Sequence, residues 1–413
     1  MGFNDVSRFS ASAAYSTAAA RSQDVSAIVV GGGAAGIAVL GSLLEKMDQG
    51  KIAWVDTEFK GGRINRKYRE VPSNTKVALF LAYARGTKPF LEVLENTAKP
   101  NAITALEELP QDGTCSLGYA GDMLNLLSDG LVKHPRVERH EGKVMDACWN
   151  EGSTEWSLSI EDPKSGSVES RTAPLVVYCT GSSPTTVQLP TSSAASTKLL
   201  DLDVALKPSD LAATIPSEKD ITVGVVGASH SAILVIMNLF KLTQKTHPHL
   251  RIRWFARSPS LKYAIYKDGW ILYDNTALKG EAARFAKEQL DGANLDTSDA
   301  GKVIRRVDCS GGVEKEKEAM TRELPECDYV VQAVGFTRNE LPAMKETLEF
   351  DHGTGGFKNA KSGKELSGLF GAGIAFPERV TDPEGNVEHA VGFFKFMKFL
   401  KRVVPEWVTK THT

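Results

Sequence analysis

The sequence contains few cysteines, and their spacing does not suit a disulfide framework or a metal site. Only five occur among 413 residues, and no two form a C-x-x-C pair. An odd, scattered set of this kind fits a reducing compartment, so we predict a cytoplasmic protein with no metal site. The five are Cys115, Cys148, Cys179, Cys309 and Cys327.

Long hydrophobic runs and an excess of one charge are also missing. The longest apolar runs, such as residues 232–237, are far too short to cross a bilayer. Lys and Arg total 49 against 51 Asp and Glu, which leaves a formal net charge of -2. This balance gives no electrostatic reason to expect a nucleic-acid partner. We predict a soluble protein without a transmembrane segment.

The first 24 residues lack the hydrophobic periodicity of a folded element and are rich in Ser and Ala. We predict a disordered arm over residues 1–24. A mitochondrial presequence is the alternative, although Asp5 and the missing amphipathic stripe weigh against it. Gly2 suggests N-myristoylation, but Val6 stands where Ser or Thr is required.

What the sequence does contain is a strand–glycine–helix motif at residues 26–45. A β-branched run over residues 27–30 leads into three glycines at G-x-G-x-x-G spacing, and apolar residues of helical period follow. Such glycines allow a tight turn, close approach of the backbone to a pyrophosphate, and packing of helix on strand. The phosphates would bind at the helix N-terminus. The predicted nucleotide-binding residues of this first glycine turn are Gly31, Gly33, Ala34, Ala35 and Gly36.

The next predicted strand supports a dinucleotide site. Residues 52–55 form a short apolar run that ends in Asp56, 20 residues after Gly36. A dinucleotide-binding fold places an acid at this point to accept a ribose hydroxyl. The alternative, a glycine-rich turn without a ligand, does not explain why Asp56 follows at this spacing.

A second strand–turn–helix begins about 195 residues after the first. Residues 221–226 form the strand and residues 233–242 the helix. The second glycine turn keeps Gly227, but Ser229 and Ala232 replace the other two glycines. Small residues still allow close approach, and hydroxyl groups can bind phosphate. The predicted nucleotide-binding residues here are Gly227, Ser229, His230 and Ser231.

Arg257 follows the second predicted strand of this repeat, near the position that Asp56 occupies in the first. A cation suits a ribose 2′-phosphate, so the sequence favours NADPH over NADH. The alternative is a surface arginine without this role. Within the turn, His230 is expected to be neutral, because the positive end of a helix disfavours imidazolium.

Each half also contains a strand that ends in a small residue and glycine. Residues 175–178 precede Thr180 and Gly181, and residues 328–334 precede Gly335. This doubling of a whole strand–turn–helix–strand arrangement is the strongest signal in the sequence. A third glycine-rich turn, which contains Gly373, follows a C-terminal strand.

The segments GGRIN (residues 61–65) and VPSNTK (residues 71–76) carry a family resemblance. Together with the repeated turns, they resemble the two-dinucleotide-binding-domain flavoproteins, which include glutathione-reductase-like enzymes and flavin-containing monooxygenases. The reductases have two cysteines in this region. No cysteine lies between Met1 and Asn74, so a disulfide reductase is excluded.

The resemblance implies FAD and NADPH as cofactors and extends the list of binding residues. Gly62, Arg63, Thr180, Gly181, Gly335 and Gly373 join those of the two turns, although the Asp that normally accompanies Gly373 is missing. Asn74 resembles the flavin-facing asparagine of the monooxygenases, where its amide would act in catalysis. An Asx-turn after Pro72 is the alternative.

The implied fold class is α/β, with two Rossmann-like dinucleotide-binding domains and a short β-meander in each. Residues 25–215 plus 331–413 would form the FAD-binding domain, and the inserted residues 216–330 the NAD(P)-binding domain. Helices are expected over residues 88–109, 121–133 and 387–402. The last is predicted to dock on the core although it is basic and amphipathic.

The predicted function is that of an NADPH-using, FAD-dependent monooxygenase. It would act on a small organic substrate with O₂ through a flavin peroxy adduct. The sequence lacks the F-x-G-x-x-x-H-x-x-x-[YWF] fingerprint between the two turns, so the subgroup would be divergent. Two alternatives stay open: an NADPH-dependent reductase that passes electrons to a quinone or protein acceptor, and a non-catalytic dinucleotide-binding sensor.

Overall fold

The computed structural model describes residues 25–190 and 197–411. The predicted N-terminal arm, residues 1–24, lies outside the described residues. The chain forms a mixed α/β structure. Its strands are β1 Ala27–Val30, β2 Ile52–Asp56, β3 Pro72–Lys76, β4 Thr114–Ser116, β5 Val137–Glu141, β6 Lys143–Asn150, β7 Glu155–Glu161, β8 Val168–Ala173, β9 Val176–Tyr178, β10 Ser182–Pro184, β11 Lys198–Leu200, β12 Ile221–Val226, β13 Leu250–Ala256, β14 Ile265–Lys267, β15 Trp270–Leu272, β16 Ile304–Asp308, β17 Tyr329–Gln332, β18 Phe336–Arg338, β19 Leu348–Phe350, β20 Gly356–Asn359, β21 Glu365–Gly371, β22 Glu378–Thr381 and β23 Val387–Ala390.

The helices pack on both main sheets. A π-helical turn, Ala286–Leu290, directly follows the α-helix Gly280–Phe285. No helix within the described ranges combines the length and apolar character needed to cross a membrane. The α-helices are α1 Ala34–Lys46, α2 Gly62–Lys67, α3 Val77–Ala84, α4 Lys88–Glu95, α5 Ala102–Glu107, α6 Leu117–Leu131, α7 Leu202–Leu206, α8 Pro208–Thr214, α9 His230–Thr243, α10 Gly280–Phe285, α11 Asn294–Thr297, α12 Val313–Glu323 and α13 Phe393–Thr411.

The larger sheet has seven strands in the order β19-β20-β21-β9-β1-β2-β5. Strands β21, β9, β1, β2 and β5 are mutually parallel, and β19 and β20 extend one edge in antiparallel fashion. Strand β1 is buried on both faces: Val29 packs among helices, whereas Ile28 and Val30 pack towards the sheet β6-β7-β8. This explains why residues 27–30 are continuously apolar, as is typical of a central parallel strand.

The second sheet is entirely parallel and has the order β11-β17-β12-β13-β16. Its core includes Leu202, Leu206 and Leu211 of α7 and α8. Residues 198–215, which the sequence analysis assigns to the first domain, therefore pack with this sheet. The chain passes between the two sheets at β10 and β18, which pair with each other in antiparallel fashion.

The smaller antiparallel elements differ between the two halves. The first half has the expected three-stranded meander, β6-β7-β8. In the second half, the described residues form only a two-stranded hairpin, β14-β15. The prediction of a meander in each half is therefore wrong for the second half, where the segment between β13 and α10 forms one hairpin.

Two of the predicted helices have different bounds. The helix expected over residues 88–109 is split into α4 and α5, because Pro100 cannot continue a helix and Asn101 starts a new one. The Asn101 side chain accepts hydrogen bonds from the N–H groups of Ile103 at 2.9 Å and Thr104 at 3.3 Å. The helix expected over residues 121–133 begins earlier, at Leu117, because Ser116 caps it.

The last predicted helix is displaced towards the C-terminus. Residues Val387–Ala390 form β23, paired with β22, and α13 starts only at Phe393. The prediction that this helix docks on the core is confirmed, since α13 packs along α1. Its buried side chains are Phe393, Phe396, Met397, Phe399, Leu400, Val403, Val404 and Trp407.

Candidate functional site

The first glycine turn connects β1 to α1 at the carboxyl edge of the larger sheet. Gly31 has φ +120°, and a Cβ atom there would lie 2.3 Å from the carbonyl oxygen of Cys179. A Cβ atom at Gly36 would lie 1.8 Å from the carbonyl oxygen of Gly31. Neither position can hold a side chain, so both glycines are required by close backbone packing.

The N-terminus of α1 is left open by this turn. Gly33 is the N-cap residue, and no side chain caps the helix. The first N–H groups of a helix have no intrahelical acceptor, and together with the helix dipole they favour an anion. Two other glycines approach this point: a Cβ atom at Gly62 would lie 2.8 Å from Cα of Gly33, and one at Gly373 would lie 2.4 Å from Cβ of Ala35.

Asp56 lies at the end of β2 beside the first turn. Its carboxylate accepts hydrogen bonds from the backbone N–H groups of Gly32 at 2.7 Å, Glu58 at 2.9 Å and Phe59 at 2.7 Å. The side chain therefore braces the turn and keeps a negative charge at the edge of the sheet. Its predicted contact with a ribose hydroxyl stays a prediction.

The second glycine turn repeats this geometry closely. Gly227 has φ +129°, and a Cβ atom there would lie 2.4 Å from the carbonyl oxygen of Ala333. Ser229 takes the place of Gly33 as the N-cap residue of α9, again without a side-chain cap. The N–H group of Ile233 donates to the Ser229 carbonyl at 3.1 Å, as that of Ile37 does to Gly33 at 3.0 Å.

A pair of tryptophans that the sequence analysis did not single out completes the repeat. Trp54 Nε1 donates to the Gly31 carbonyl at 3.0 Å, and Trp254 Nε1 donates to the Gly227 carbonyl at 2.8 Å. Both side chains are fully buried. The signal was present in the sequence, since each tryptophan lies near the middle of the strand that follows its turn.

The second turn opens into a cavity of about 310 Å³. The predicted residues Gly227, Ser229, Arg257 and Gly335 line it together. The cavity also contains Lys262, whose ammonium donates to Thr276 Oγ1 at 3.2 Å. Hydroxyl groups, a glycine turn and two cations in one cavity of this size suit a phosphorylated ligand.

Arg257 is not the structural counterpart of Asp56. The N–H group of Gly31 donates to Val55, and that of Gly227 to Phe255, so the residue that corresponds to Asp56 is Ala256. Arg257 follows one position later, with 67% of its side chain exposed and its Nε atom 3.5 Å from Glu316 Oε1. The second unit therefore has an uncharged residue, Ala256, at the position equivalent to Asp56, and the cationic Arg257 is the next residue.

His230 begins α9 inside the second turn. Burial, together with the nearby charge of Lys279, lowers the pKa of His230 to about 4. The imidazole is thus neutral at physiological pH, as the sequence analysis expects. Its buried Nδ1 atom has no hydrogen-bond partner among the described residues.

Arg63 lies at the boundary between the two sheets. Its guanidinium donates to Tyr68 Oη at 2.9 Å and to Asp203 Oδ2 at 2.5 Å, and Tyr68 donates to Asp203 Oδ1 at 2.8 Å. Asp203 belongs to α7, which packs with the second sheet. The described contacts of Arg63 are therefore structural, and its contact with a cofactor stays a prediction.

Thr180 and Gly181 follow β9 as expected. The Asn339 side-chain amide donates to the Thr180 carbonyl at 2.8 Å, and the Asn339 backbone N–H donates to the Gly181 carbonyl at 3.1 Å. The Thr180 hydroxyl is buried and has no partner among the described residues. An orphaned hydroxyl at this edge of the sheet is free to bond a ligand.

Asn74 lies on β3 with an exposed side chain. Its backbone approaches the start of α10, because a Cβ atom at Gly280 would lie 3.7 Å from Cα of Asn74. Thr75 Oγ1 donates to Asn74 Oδ1 at 3.4 Å. The amide is thus accessible at the boundary between the two halves.

The described cysteines are all free thiols. Burial raises the pKa of the Cys179 thiol far above its ordinary value and that of Cys309 to about 11. Within residues 25–190 and 197–411, no group of three or more His, Cys, Asp or Glu side chains could hold a metal ion.

Comparisons with known proteins agree with this geometry. No family model matches the chain. The monooxygenase AgnR1 of Paecilomyces divaricatus is 51% identical over 391 residues, which cover 94% of this chain and 98% of that protein. The bacillithiol disulfide reductase of Bacillus cereus has a similar fold, with a TM-score of 0.53 at 14% identity over 94% of this chain and 99% of that one. The flavin monooxygenase of Stenotrophomonas maltophilia gives a TM-score of 0.51 at 13% identity over 94% and 98% of the two chains.

The fold is that of the FAD/NAD(P)-binding flavoproteins. The relative at 51% identity is a monooxygenase, which makes the chain an oxidoreductase. Within that class, the chain belongs to the monooxygenase family represented by AgnR1.

Proposed function

We propose that this protein is an FAD-dependent monooxygenase that uses NADPH and O₂ to oxygenate a small organic substrate. The observation that carries the proposal is the doubled turn: two uncapped helix N-termini, each behind a glycine that cannot hold a side chain. Each such helix N-terminus can bind the pyrophosphate of one dinucleotide, so two of them suit an enzyme that binds two dinucleotides.

We propose that FAD binds at the first turn. The open N-terminus of α1 would hold its pyrophosphate, Asp56 its ribose, and the orphaned Thr180 hydroxyl supplies a further polar contact. The glycines at positions 62 and 373 keep side chains away from this edge. When bound, FAD supplies the transfer of electrons from NADPH to O₂ and the insertion of oxygen into the substrate.

NADPH is proposed to bind at the second turn. The N-terminus of α9 and Ser229 would hold its pyrophosphate, while Arg257 and Lys262 would face the 2′-phosphate in the cavity. Ala256 leaves no carboxylate to bind the 2′-hydroxyl of NADH. A neutral His230 can accept or donate one hydrogen bond there without adding charge.

Two nucleotide-binding units follow from this assignment. The inserted NADPH unit is best drawn from about residue 197 to residue 334, because β11, α7 and α8 pack with the five-stranded sheet. The FAD unit comprises the residues on either side. The Arg63–Asp203 ion pair then joins the two units, and the β10–β18 strand pair brings together the two segments of the FAD unit that flank the insertion.

The proposed role of Asn74 is to hold a hydrogen bond at the reacting edge of the flavin. Two observations support this role: the side chain is exposed, and Asn74 lies beside the start of α10 in the other unit. An amide also adds no competing acid. A reductase that only passes electrons to a quinone would not need this residue.

Isotope labelling tests the proposal. The purified protein should be yellow, and NADPH should bleach it under anaerobic conditions. With ¹⁸O₂ and probe substrates such as thioanisole or a methyl ketone, one labelled oxygen atom should appear in the product. A colourless polypeptide that does not take up added FAD would refute the proposal. Turnover that accelerates with a quinone, without labelled product, would support the reductase instead.

A further inference from the structure

A partly buried polar cluster connects the segment before α10 with the start of α13. Asp274 is its centre: Oδ1 accepts from Lys279 Nζ at 2.7 Å, and Oδ2 accepts from Lys395 Nζ at 2.6 Å. Lys395 also donates to Asn275 Oδ1 at 2.6 Å. One carboxylate is therefore shared between two ammonium groups from distant parts of the chain.

Glu388, on β23, completes the cluster. Its side chain accepts from the backbone N–H of Asn275 at 3.0 Å, from the Asn275 amide at 3.1 Å and from the Thr276 hydroxyl at 2.5 Å. The residue is only 7% exposed. Buried carboxylates are rare unless they are fully bonded, and here three donors satisfy one carboxylate. We call Asp274, Asn275, Thr276, Lys279, Glu388 and Lys395 the linking cluster.

The linking cluster lies between the two glycine turns. On one side, the Lys279 charge acts on His230 in the second turn. On the other side, Lys395 lies near the N-terminus of α13. This helix packs along α1, the helix that follows the first glycine turn. Lys279 directly precedes α10, which packs against α9, so the linking cluster lies between helices of the two proposed dinucleotide sites.

An exposed ion pair such as Lys302–Asp299 contributes little to a fixed geometry. In the linking cluster, both the acid and the amine are partly buried, at 25% and 29% side-chain exposure. Replacing Lys395 would leave Asp274 paired with Lys279 alone and would remove an ion pair that joins the two units.

We propose that the linking cluster positions the NADPH unit for hydride transfer, with Asp274, Glu388 and Lys395 as positioning residues that touch neither cofactor. The inference rests on the proposed function. Hydride transfer requires the two reacting atoms within a few tenths of an ångström of contact distance, and a misplacement of about 1 Å can cost ~100-fold in rate.

The test compares Lys395→Met and Asp274→Asn with Lys398→Met, a control at an exposed lysine of the same helix. Anaerobic stopped-flow bleaching of the holoenzyme gives the limiting rate of reduction and the Kd for NADPH. We expect the limiting rate to fall at least ~10-fold in both linking-cluster variants, with the Kd changed less than ~3-fold. FAD content, photochemical reduction and reoxidation by O₂ should stay as in the wild type. The double variant should be no slower than the slower single variant, because both changes remove the same ion pair between Asp274 and Lys395.

Hydrogen exchange measured by mass spectrometry gives a readout independent of turnover. Exchange should rise in residues 270–280 and 387–395 of the linking-cluster variants and not in the control. Normal reduction rates, or a change confined to the Kd, would overturn the positioning role. A wild type that NADPH does not reduce would refute the proposed function, and unchanged exchange in the variants would refute the link itself.

Discussion

Replacing Arg257 with alanine should reduce the preference of the protein for NADPH over NADH. Arg257 is the cation that stands beside the second turn where an NAD-binding fold has an acid. Its side chain is two-thirds exposed, and its Nε atom lies 3.5 Å from Glu316 Oε1. A 2′-phosphate in the cavity would replace that neighbour as the partner of the guanidinium.

The expected loss of NADPH affinity depends on how far the Arg257 side chain is exposed to solvent. A charge-assisted hydrogen bond contributes about 1.5–3 kcal/mol, which corresponds to roughly 10- to 150-fold in affinity. Because Arg257 is largely exposed, solvent screening places the expected loss near the lower end, about 10-fold for NADPH. NADH has no phosphate at this point, so its affinity should change less than about 2-fold.

Glu316 supplies a matched test of opposite sign. Its carboxylate lines the same cavity and repels a phosphate while it holds Arg257. Glu316→Gln should therefore tighten NADPH binding by about 3-fold, since it removes the like charge and frees the guanidinium. Lys317→Ala, at the exposed neighbouring position, serves as the control for charge on α12.

The assay is an anaerobic titration of flavin reduction with each nucleotide, which gives separate Kd values for NADPH and NADH. Equal losses for the two nucleotides in Arg257→Ala would refute the assignment of the 2′-phosphate. Weaker NADPH binding in Glu316→Gln would show that the carboxylate orients the guanidinium rather than opposing the ligand.

Three further predictions concern other residues. Gly36→Val should yield protein without FAD, because a Cβ atom there would lie 1.8 Å from the Gly31 carbonyl oxygen; a flavin spectrum equal to wild type would contradict this. Asn74→Ala should divert most NADPH oxidation into hydrogen peroxide, measured against Thr75→Ser; unchanged coupling would remove its proposed role. The folded pKa of His230, about 4, lies below its ordinary value of 6.5, so stability should fall as pH drops from 6.5 to 4. His230→Gln should reduce that fall by at most about 3 kcal/mol in denaturant titrations at each pH, and an identical pH profile would contradict the shift.

Local rules account for what could be predicted at the first turn. Gly36 is required by its contact with the Gly31 carbonyl five positions earlier, and such a contact leaves a fixed spacing in the sequence. The same holds for the burial of α13, because its aromatic residues recur at helical spacing. The tryptophan pair was also readable, since both residues occupy equivalent strand positions.

Element boundaries were less predictable where competing signals overlap. Apolar spacing continues through residues 88–109, yet Pro100 and the Asn101 cap divide the segment into two helices. Residues 387–390 fit a helical pattern as well as a strand, and their pairing with β22 decides for the strand. Pairing partners are distant in sequence, so periodicity alone does not reveal them.

By itself, the sequence determined the two strand–turn–helix units, because the order of strand, glycine turn and helix is written in about 20 consecutive residues of each unit. Only the tertiary structure decided where the long side chains of Arg63, Arg257 and Lys395 find their partners. The carboxylates they meet are at least 59 positions away, and no local pattern specifies such a meeting. The physical reason is that backbone geometry is encoded by neighbours, whereas a charge is satisfied by whichever opposite charge the fold brings within reach.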